Sequence, residues 1–306
     1  MGNVYFSYFN LTNYGKAEKV FIKDDYYFIK ILNEYSEDNS NNIYLTNDDG
    51  FNYYLATERK ENFYLGADAS KIARGLTKLT KTDLLKPSKL NYYFVQNFHT
   101  SFANCFSLDM EPISSENMKT MYGSYYNCTN LYGSPQVDLK VNNLIATYYN
   151  CTKLSGQPVC PDNVISMKGA YYNCVNITGS PQIGAKTRSA EDAYYNCYSL
   201  QGAPADCNNL LIAVNTYYNC PNLYGTFNWY EVNSTQAKII NATNMFYHRD
   251  YSRRLNIYVK ADSSVENALI NYSATYGNLY GTGAISWTQS GGYYYNSLYN
   301  TYIYSS

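Results

Sequence analysis

The stretch LIATYYNCTKLSGQP, residues 144–158, returns 23 residues later with the same pattern, as MKGAYYNCVNITGSP at 167–181. Six of the eight cysteines keep this spacing, at Cys105, Cys128, Cys151, Cys174, Cys197 and Cys220. An asparagine precedes each of them, as Asn104, Asn127, Asn150, Asn173, Asn196 and Asn219. A fixed period of this length is typical of repeat architectures, in which neighbouring units share one continuous core.

Other positions repeat in phase with the cysteine. Three residues before it stands an aromatic side chain, in Phe102, Tyr125, Tyr148, Tyr171, Tyr194 and Tyr217. Seven residues before it and three after it stand mostly larger apolar residues, including Met121, Leu144, Met167, Leu131, Leu154 and Ile177. Because one unit cannot bury its apolar side alone, the units must stack. The recurring Leu-x-Gly-x-Pro segment predicts a short extended piece that ends at a turn.

A second tyrosine stands two residues before the cysteine in five units, at Tyr126, Tyr149, Tyr172, Tyr195 and Tyr218. A tyrosine can bury its ring while its hydroxyl reaches water or a partner, so tyrosine-rich surfaces suit molecular contact. We take this column as the candidate binding site. The alternative is that these rings, like many of the 39 tyrosines in the chain, fill the spaces between units.

The cysteine column has three interpretations. Turns about 5 Å apart would bring successive cysteines near disulfide range. A metal site is disfavoured because Cys-x-x-Cys spacing is absent and only two histidines occur, His99 and His248. We favour a column of buried free thiols that act as small apolar groups, together with the preceding asparagines as a structural ladder. Cys160 and Cys207 lie off the column, and we expect no cofactor or metal.

The aromatic-aromatic-Asn-Cys-x-x-Leu pattern on this period resembles the bacterial-surface (BspA-like) leucine-rich repeat. The resemblance covers residues 98 to 227, in which six units agree in phase. The Leu-x-Gly-x-Pro segment is shorter than the strand usual in that family. The resemblance implies a solenoid that serves adhesion or assembly rather than chemistry. We therefore predict a mainly β protein with a leucine-rich-repeat-like solenoid of about six 23-residue turns.

The regions on either side of the repeats do not share the period. Residues 1–95 predict a small β-rich anchoring or assembly domain, with strands at 4–6, 20–22 and 26–31 and a hairpin between 43–45 and 51–55. Residues 96–227 form the predicted solenoid. Residues 228–306 predict degraded repeats or a small β-rich cap, with echoes of the repeat at 245–248, 276–281 and 293–298.

A further resemblance lies at Phe63-Tyr64-Leu65-Gly66-Ala67-Asp68 and Lys71-Ile72-Ala73-Arg74. This stretch resembles a short motif of phage virion proteins, an aromatic residue before Gly followed by Ala-Arg. The chain start has no basic region followed by an apolar stretch, and no apolar run is long enough to span a membrane. We therefore expect a virion location after assembly in the host cytoplasm, and the cell surface is the alternative.

Composition and motifs narrow the class of function. The net charge of −1 argues against a nucleic-acid binder, and we expect no membrane partner. Two isolated histidines cannot supply a nucleophile–His–acid set, and no phosphate-binding loop occurs, so we expect no enzyme. The leading prediction is a phage structural, fibre or decoration protein that binds virion neighbours, other copies of itself or a host-surface glycan. A bacterial or protist surface adhesin and a glycan-binding module remain as alternatives.

Overall fold

The computed structural model describes residues 19–22, 26–32, 43–46, 51–57, 63–64, 67–71, 73–75, 90–207, 209–229, 241–259, 279–280 and 287–305. Within these ranges the chain forms thirteen strands and no α-helix, so the predicted β-rich class is confirmed. The same ranges hold no helix that could cross a membrane. Between residues 90 and 229 most of the chain is a regular succession of turns rather than of long strands.

Four antiparallel strands form a sheet ahead of the repeats. They are β1 (Lys19–Ile22), β2 (Tyr26–Leu32), β3 (Ile43–Thr46) and β4 (Phe51–Thr57), in the spatial order β1-β2-β4-β3. The predicted strands at 20–22 and 26–31 are confirmed, and so is the pairing of the predicted hairpin. The strand predicted at 4–6 and the hairpin turn at 47–50 lie outside the described residues.

The repeated units lie side by side and pair in parallel. One position per unit forms a parallel bridge to the next unit, in the series Asp68–Asn97, Asn97–Thr120, Thr120–Asn143, Asn143–Ser166, Ser166–Ser189, Ser189–Ile212 and Ile212–Asn241. The first and last bridges show that segments 67–75 and 241–249 pack onto the ends of the six units found in the sequence. The short strands β5 (Phe63–Tyr64) and β6 (Leu90–Asn91) also pair in parallel.

Alternate backbone amides hold each turn to the next one. The amides of Leu144, Ala146, Tyr148 and Asn150 donate to carbonyls of the following unit at 2.7–3.1 Å, and every unit repeats the arrangement. The predicted extended segment makes a second line of bonds, for example from the Thr178 amide to the Gly156 carbonyl at 2.8 Å. Because hydrogen bonds satisfy these backbone groups on both sides of the turn, the segment can be buried without regular strands.

Proline limits the length of the extended segment. In five units a proline stands seven residues after the cysteine, and there the segment forms at most isolated bridges or the two-residue strand β7 (Gln201–Gly202), which pairs with β8 (Asn222–Leu223) of the next unit. The sixth unit has Phe227 instead, and a five-residue strand, β9 (Gly225–Trp229), forms at that place. Proline lacks the amide hydrogen that a ladder needs, so its replacement lets the strand extend.

Strand β9 starts a five-stranded sheet at the C-terminal end. It pairs in parallel with β10 (Leu255–Val259), which pairs in parallel with β13 (Thr301–Ser305). Strands β11 (Thr288–Ser290) and β12 (Tyr293–Asn296) complete the sheet, in the order β11-β12-β13-β10-β9. Leu255, Ile257, Val259, Phe227 and Ile303 are buried on one face.

The three echoes of the repeat have different outcomes. Residues 245–248 continue the stack, since Phe246 lies on Tyr217 and Tyr247 on Tyr218, with ring centroids 5.4 and 5.0 Å apart. The echo at 293–298 is wrong as a parallel unit, because β12 runs antiparallel to β13. The echo at 276–281 aligns Leu279 with Leu223, the leucine three residues after Cys220, and this alignment is wrong. The Leu279 carbonyl accepts from the Phe246 amide, so Leu279 stands one residue before the position of the inner aromatic ring.

The core runs the length of the stack as columns of equivalent side chains. The aromatic column, here called the inner column, consists of Phe102, Tyr125, Tyr148, Tyr171, Tyr194 and Tyr217 and is buried throughout. Its rings are stacked with centroids 5.4–5.7 Å apart. The apolar residues seven before and three after each cysteine are buried beside it, as the repeat pattern predicts.

The repeated asparagine is required by backbone geometry as well as by hydrogen bonding. All six asparagines adopt φ between 56 and 64°, a left-handed conformation that asparagine tolerates better than most residues. Each side-chain amide from Asn127 to Asn219 donates to the amide oxygen one unit earlier at 2.7–3.0 Å. We call this series the asparagine ladder. It satisfies one donor and one acceptor of each interior amide.

The buried tyrosine hydroxyls are clamped by the backbone. The Tyr148 hydroxyl accepts from the Gln136 amide at 3.1 Å and donates to the Gln136 carbonyl at 2.7 Å. Tyr125, Tyr171 and Tyr194 make the same two bonds to a residue twelve positions earlier. The buried Tyr217 hydroxyl has no hydrogen-bond partner among the described residues. The clamp therefore operates in four units and is absent in the unit of Tyr217.

Substitution of Asn150 tests the two roles of the asparagine ladder. Asn150→Ala loses two side-chain amide bonds and places alanine at positive φ, so we expect a loss of about 2–3 kcal/mol in the free energy of unfolding. Asn150→Gly loses the same bonds, but glycine adopts positive φ readily. Its loss in the free energy of unfolding should therefore be about 1 kcal/mol smaller than that of Asn150→Ala. Urea unfolding measures both values. Equal losses in the two variants would contradict the backbone role.

The difference between Tyr148 and Tyr217 gives a matched pair of variants. Tyr148→Phe leaves the Gln136 amide and carbonyl without their partner, so we expect a loss of about 1–2 kcal/mol. Tyr217→Phe removes a buried hydroxyl that has no partner among the described residues, so stability should stay unchanged or rise by up to about 1 kcal/mol. Thermal and urea unfolding provide the comparison. A larger loss in Tyr217→Phe than in Tyr148→Phe would refute the clamp.

Candidate functional site

The predicted binding tyrosines form one row on the outside of the stack. Tyr126, Tyr149, Tyr172, Tyr195 and Tyr218 are each half-buried, and we call them the outer column. Successive ring centroids are 4.4–4.7 Å apart, and the ring planes are within 18° of parallel. Tyr247 extends the column by one ring at the C-terminal end. The structure therefore brings all five predicted residues together in a single surface feature.

The ring faces of the outer column are covered by their neighbours. An interior ring such as Tyr172 is stacked on Tyr149 at one face and on Tyr195 at the other. Sugars and other flat ligands bind aromatic side chains through the ring face, and no interior ring offers one. What the column presents to solvent is ring edges and hydroxyl groups, at the spacing of strands in a sheet.

A tight turn in each unit sets this spacing. The amide of each outer tyrosine donates to the carbonyl three residues earlier, as from Tyr149 to Ala146 at 3.4 Å. That earlier position has positive φ in every unit, at Thr100, Gly123, Ala146, Gly169, Asp192 and Asn215. At Gly169 an added Cβ would lie 3.4 Å from the Tyr149 ring. A side chain at this position therefore meets the neighbouring ring at an ordinary contact distance.

Polar and charged groups stand beside the middle of the column. Asn215 donates its side-chain amide to Asp192 at 2.9 Å, and Lys168 forms an ion pair with Glu191 at 2.9 Å. Burial raises the pKa of Asp192, and Glu191 raises it further, while the Asn215 bond and Lys168 lower it. Partial burial and the neighbouring phenols raise the pKa of Tyr149 to about 12. The Tyr149 phenol is therefore neutral at physiological pH.

The cysteine column is a line of buried thiols with a structural task. Each thiol donates to the carbonyl of the residue at the inner-column position of the preceding unit, from Cys105 to Ala73 through Cys220 to Tyr194, at 2.9–3.1 Å. A thiol is a weak donor, and these carbonyls lie in the core away from water. Burial raises the pKa of Cys128, Cys151, Cys174 and Cys197. These four thiols therefore stay protonated near neutral pH.

Sequence reasoning missed a matching column of hydroxyls. Ser101, Ser124, Thr147 and Thr216 are buried four residues before the cysteine. The Thr147 hydroxyl lies 2.8 Å from the Met121 carbonyl of the preceding unit and 2.8 Å from the Leu144 carbonyl of its own unit. Alanine stands at this position in two units, which hid the pattern. The recurrence of small hydroxyl residues between apolar ones was the available signal.

Arg249 occupies the cysteine position of the last stacked segment. Its amide donates to the Phe246 carbonyl at 3.3 Å, as the Cys220 amide does to Tyr217 at 3.2 Å. The buried guanidinium donates to the carbonyls of Leu223 and Tyr299. It therefore ties the end of the cysteine column to the C-terminal segment through backbone oxygens. Its identity as the end of the column was not predicted from the sequence.

The two histidines lie at opposite ends of the stack. His99 packs edge-on against Tyr122, and burial, Lys71 and Arg74 lower its pKa against the opposing effect of Asp68. His248 stands in the asparagine position after Tyr247, and its Nδ1 lies 2.8 Å from the Asn219 Oδ1, so it ends the ladder. The part of the chain that the structure describes contains no group of three potential metal-ligating side chains.

A second tyrosine-rich surface covers the outer face of the C-terminal sheet. Tyr258 is stacked on Tyr304 at 4.6 Å and Tyr295 on Tyr302 at 4.3 Å. The Arg254 guanidinium lies 3.7 Å from the centre of the Tyr302 ring, in a cation–π contact. Here too the rings mostly contact each other, so the sheet resembles the outer column in what it exposes.

No protein-family model, curated protein or solved structure matches this chain. The geometry of the described residues is therefore what any functional inference has to start from.

Burial of the thiols and inner phenols predicts alkaline sensitivity. Their pKa values are raised in the folded state, so their contribution to stability is complete below the unfolded values, about 8.5 for cysteine and 10 for tyrosine. Stability should fall as pH rises above about 9, because only the unfolded chain then ionises easily. Urea midpoints from pH 7 to about 10.5 measure this trend, with tyrosinate absorbance as a second signal. A constant midpoint would contradict it.

Proposed function

We propose that this chain is a non-enzymatic structural or adhesion protein built on a leucine-rich-repeat-like solenoid. In this proposal the stack is a rigid support for the outer strip, which we define as the outer column together with the asparagine ladder. The strip binds neighbouring proteins of a phage particle, further copies of the chain or a host-surface glycan. The observation that carries the proposal is the continuous row of stacked phenols along the stack.

The use of the repeated polar groups supports a structural role. Thiols, buried hydroxyls, inner phenols and asparagine amides all bond from one part of the stack to another. Nucleophilic side chains serve catalysis when they face a substrate with a base beside them. The thiol column faces backbone carbonyls in the core instead. The cysteine repeats because each thiol bonds to a carbonyl of the preceding turn and so holds two turns together.

Preorganisation of the outer strip supports a binding role. Stacking orders the outer rings, and the asparagine ladder orders the edge beside them, so less side-chain freedom is lost on association than on an unstacked surface. Phenol hydroxyls and amides offer hydrogen bonds to a partner with polar groups at the same spacing. A glycan would be bound through its hydroxyls rather than by stacking on interior ring faces. A protein partner would meet a row of ring edges and hydroxyl groups.

The short resemblance of residues 63–74 to a phage virion motif supports placement in a particle. In the structure residues 67–75 contribute the first turn of the stack, since the Ala69, Lys71 and Ala73 amides donate to carbonyls of the next turn. This turn would connect an anchoring N-terminal sheet to the solenoid. A cell-surface adhesin and a free glycan-binding module are the alternative placements of the same strip.

The binding proposal is tested by the variant Tyr149→Phe/Tyr172→Phe, which removes two hydroxyls and keeps both rings. We expect at least a tenfold loss in affinity for partner particles or glycans, because each lost bond is worth about 1 kcal/mol. Tyr198→Phe/Tyr224→Phe is the control, since these two tyrosines are exposed but lie outside the strip. Purified particles and a glycan array serve as the two probes. Equal affinity of the variant and the control would overturn the role of the strip.

The placement has its own test. Mass spectrometry of purified phage particles should detect the chain and give its copy number. Its absence from the particles, combined with labelling of intact cells by an antibody against the chain, would replace the virion proposal with the adhesin.

A further inference from the structure

Neighbouring phenols of the outer column are close enough to react with each other. The pairs Tyr149–Tyr172 and Tyr195–Tyr218 have the shortest spacings, 4.4 and 4.5 Å, and planes within 4° of parallel. We propose that the outer column is a site of oxidative tyrosine cross-linking, which joins successive turns of the stack covalently. This inference is independent of the binding role proposed above.

The reaction couples two phenols through the carbon atoms next to their hydroxyls. A one-electron oxidant, such as a peroxidase supplied with hydrogen peroxide, removes one electron from each phenol, and each phenol releases one proton. The two phenoxyl radicals form one carbon–carbon bond, and the two ring hydrogens move to the oxygens to restore both phenols. In total, two electrons go to the peroxide. The two released protons convert it to two molecules of water.

Accessibility separates the outer column from the inner one. The rings must turn from face-to-face to edge-to-edge for coupling, and the outer rings are half-exposed, so they have room to do so. The inner rings are buried, lie 5.4–5.7 Å apart and, in four units, have hydroxyls clamped by the backbone. The fold therefore contains two tyrosine columns of equal period, of which one is arranged to react.

The easily oxidised side chains of the core beside the outer column are protected. The six column cysteines, with Trp229 in strand β9, are buried. A macromolecular oxidant such as a peroxidase cannot reach them directly. Radicals formed on exposed phenols would therefore find their nearest partner in the next outer ring rather than in a thiol.

Cross-linking would change how the stack responds to unfolding. A bond between Tyr149 and Tyr172 closes a loop of one unit, and a closed loop removes conformational freedom from the unfolded chain, as a disulfide does. Several such bonds in register would tie the turns together along one side. The outer strip would then persist under denaturing conditions that separate the turns of the untreated protein.

The test treats the dilute protein with peroxidase and hydrogen peroxide, digests it and identifies linked peptides by mass spectrometry. We expect a Tyr149–Tyr172 or Tyr195–Tyr218 link with the loss of two hydrogen atoms, the blue fluorescence of dityrosine and a higher urea midpoint. Tyr149→Phe/Tyr172→Phe should lose the first link and keep the second. Tyr198→Phe/Tyr224→Phe should keep both links and serves as the matched control.

Three outcomes would overturn the proposal. The first is that the dilute protein forms no intramolecular link, although free tyrosine in the same solution is coupled. The second is that links form only between tyrosines of the C-terminal sheet, such as Tyr295 and Tyr302. The third is that links join inner-column residues as often as outer ones. Circular dichroism of each variant before oxidation establishes that the comparison is made on folded protein.

Discussion

The stack depends on one constraint, which is that every turn must satisfy its buried backbone carbonyls without the help of long strands. Alternate amides of each unit reach carbonyls of the next unit, and the carbonyls in between accept from amides three residues later in their own turn. Side chains of the following unit bring a second donor to these carbonyls. The Cys151 thiol bonds to the Tyr125 carbonyl, and the Thr147 hydroxyl bonds to the Met121 carbonyl. A hydrogen bond contributes about 1 kcal/mol net, so a contribution repeated in each unit favours a regular sequence.

The same constraint explains the contrast between the middle of the stack and its end. Where proline follows the glycine, the extended segment stays short and side chains provide many of the bonds between units. Where Phe227 replaces proline, an ordinary parallel ladder forms between β9 and β10 and continues to β13. At that end the cysteine column stops, and the guanidinium of Arg249 supplies several donors at once to backbone oxygens. Within one unit the extended segment therefore changes from a short piece to a regular strand ladder.

The sequence predicts the period, the register and the burial of the inner column, because these follow from the spacing of Tyr148, Cys151 and Leu154 alone. It also predicts that the outer tyrosines line up. Sequence reasoning did not reach the clamp on Tyr148, since the partner at Gln136 is twelve residues away and its role depends on how the chain returns to the core. The covered faces of the outer rings were equally hidden, because a repeat pattern fixes which rings are neighbours but not how they tilt. The phase of Leu279 was misjudged, since insertions of unequal length precede it.

The left-handed asparagine gives the array a property beyond stability. Every interior unit offers its neighbours the same amide donor, the same amide oxygen and the same turn, so the contact between any two adjacent units is nearly interchangeable. A gene for such a chain can gain or lose whole units by unequal recombination without creating a new interface. The number of units in the stack can then change from one generation to the next without a change in the contacts between units. Selection can change the number of units while the segments at the two ends of the stack stay the same.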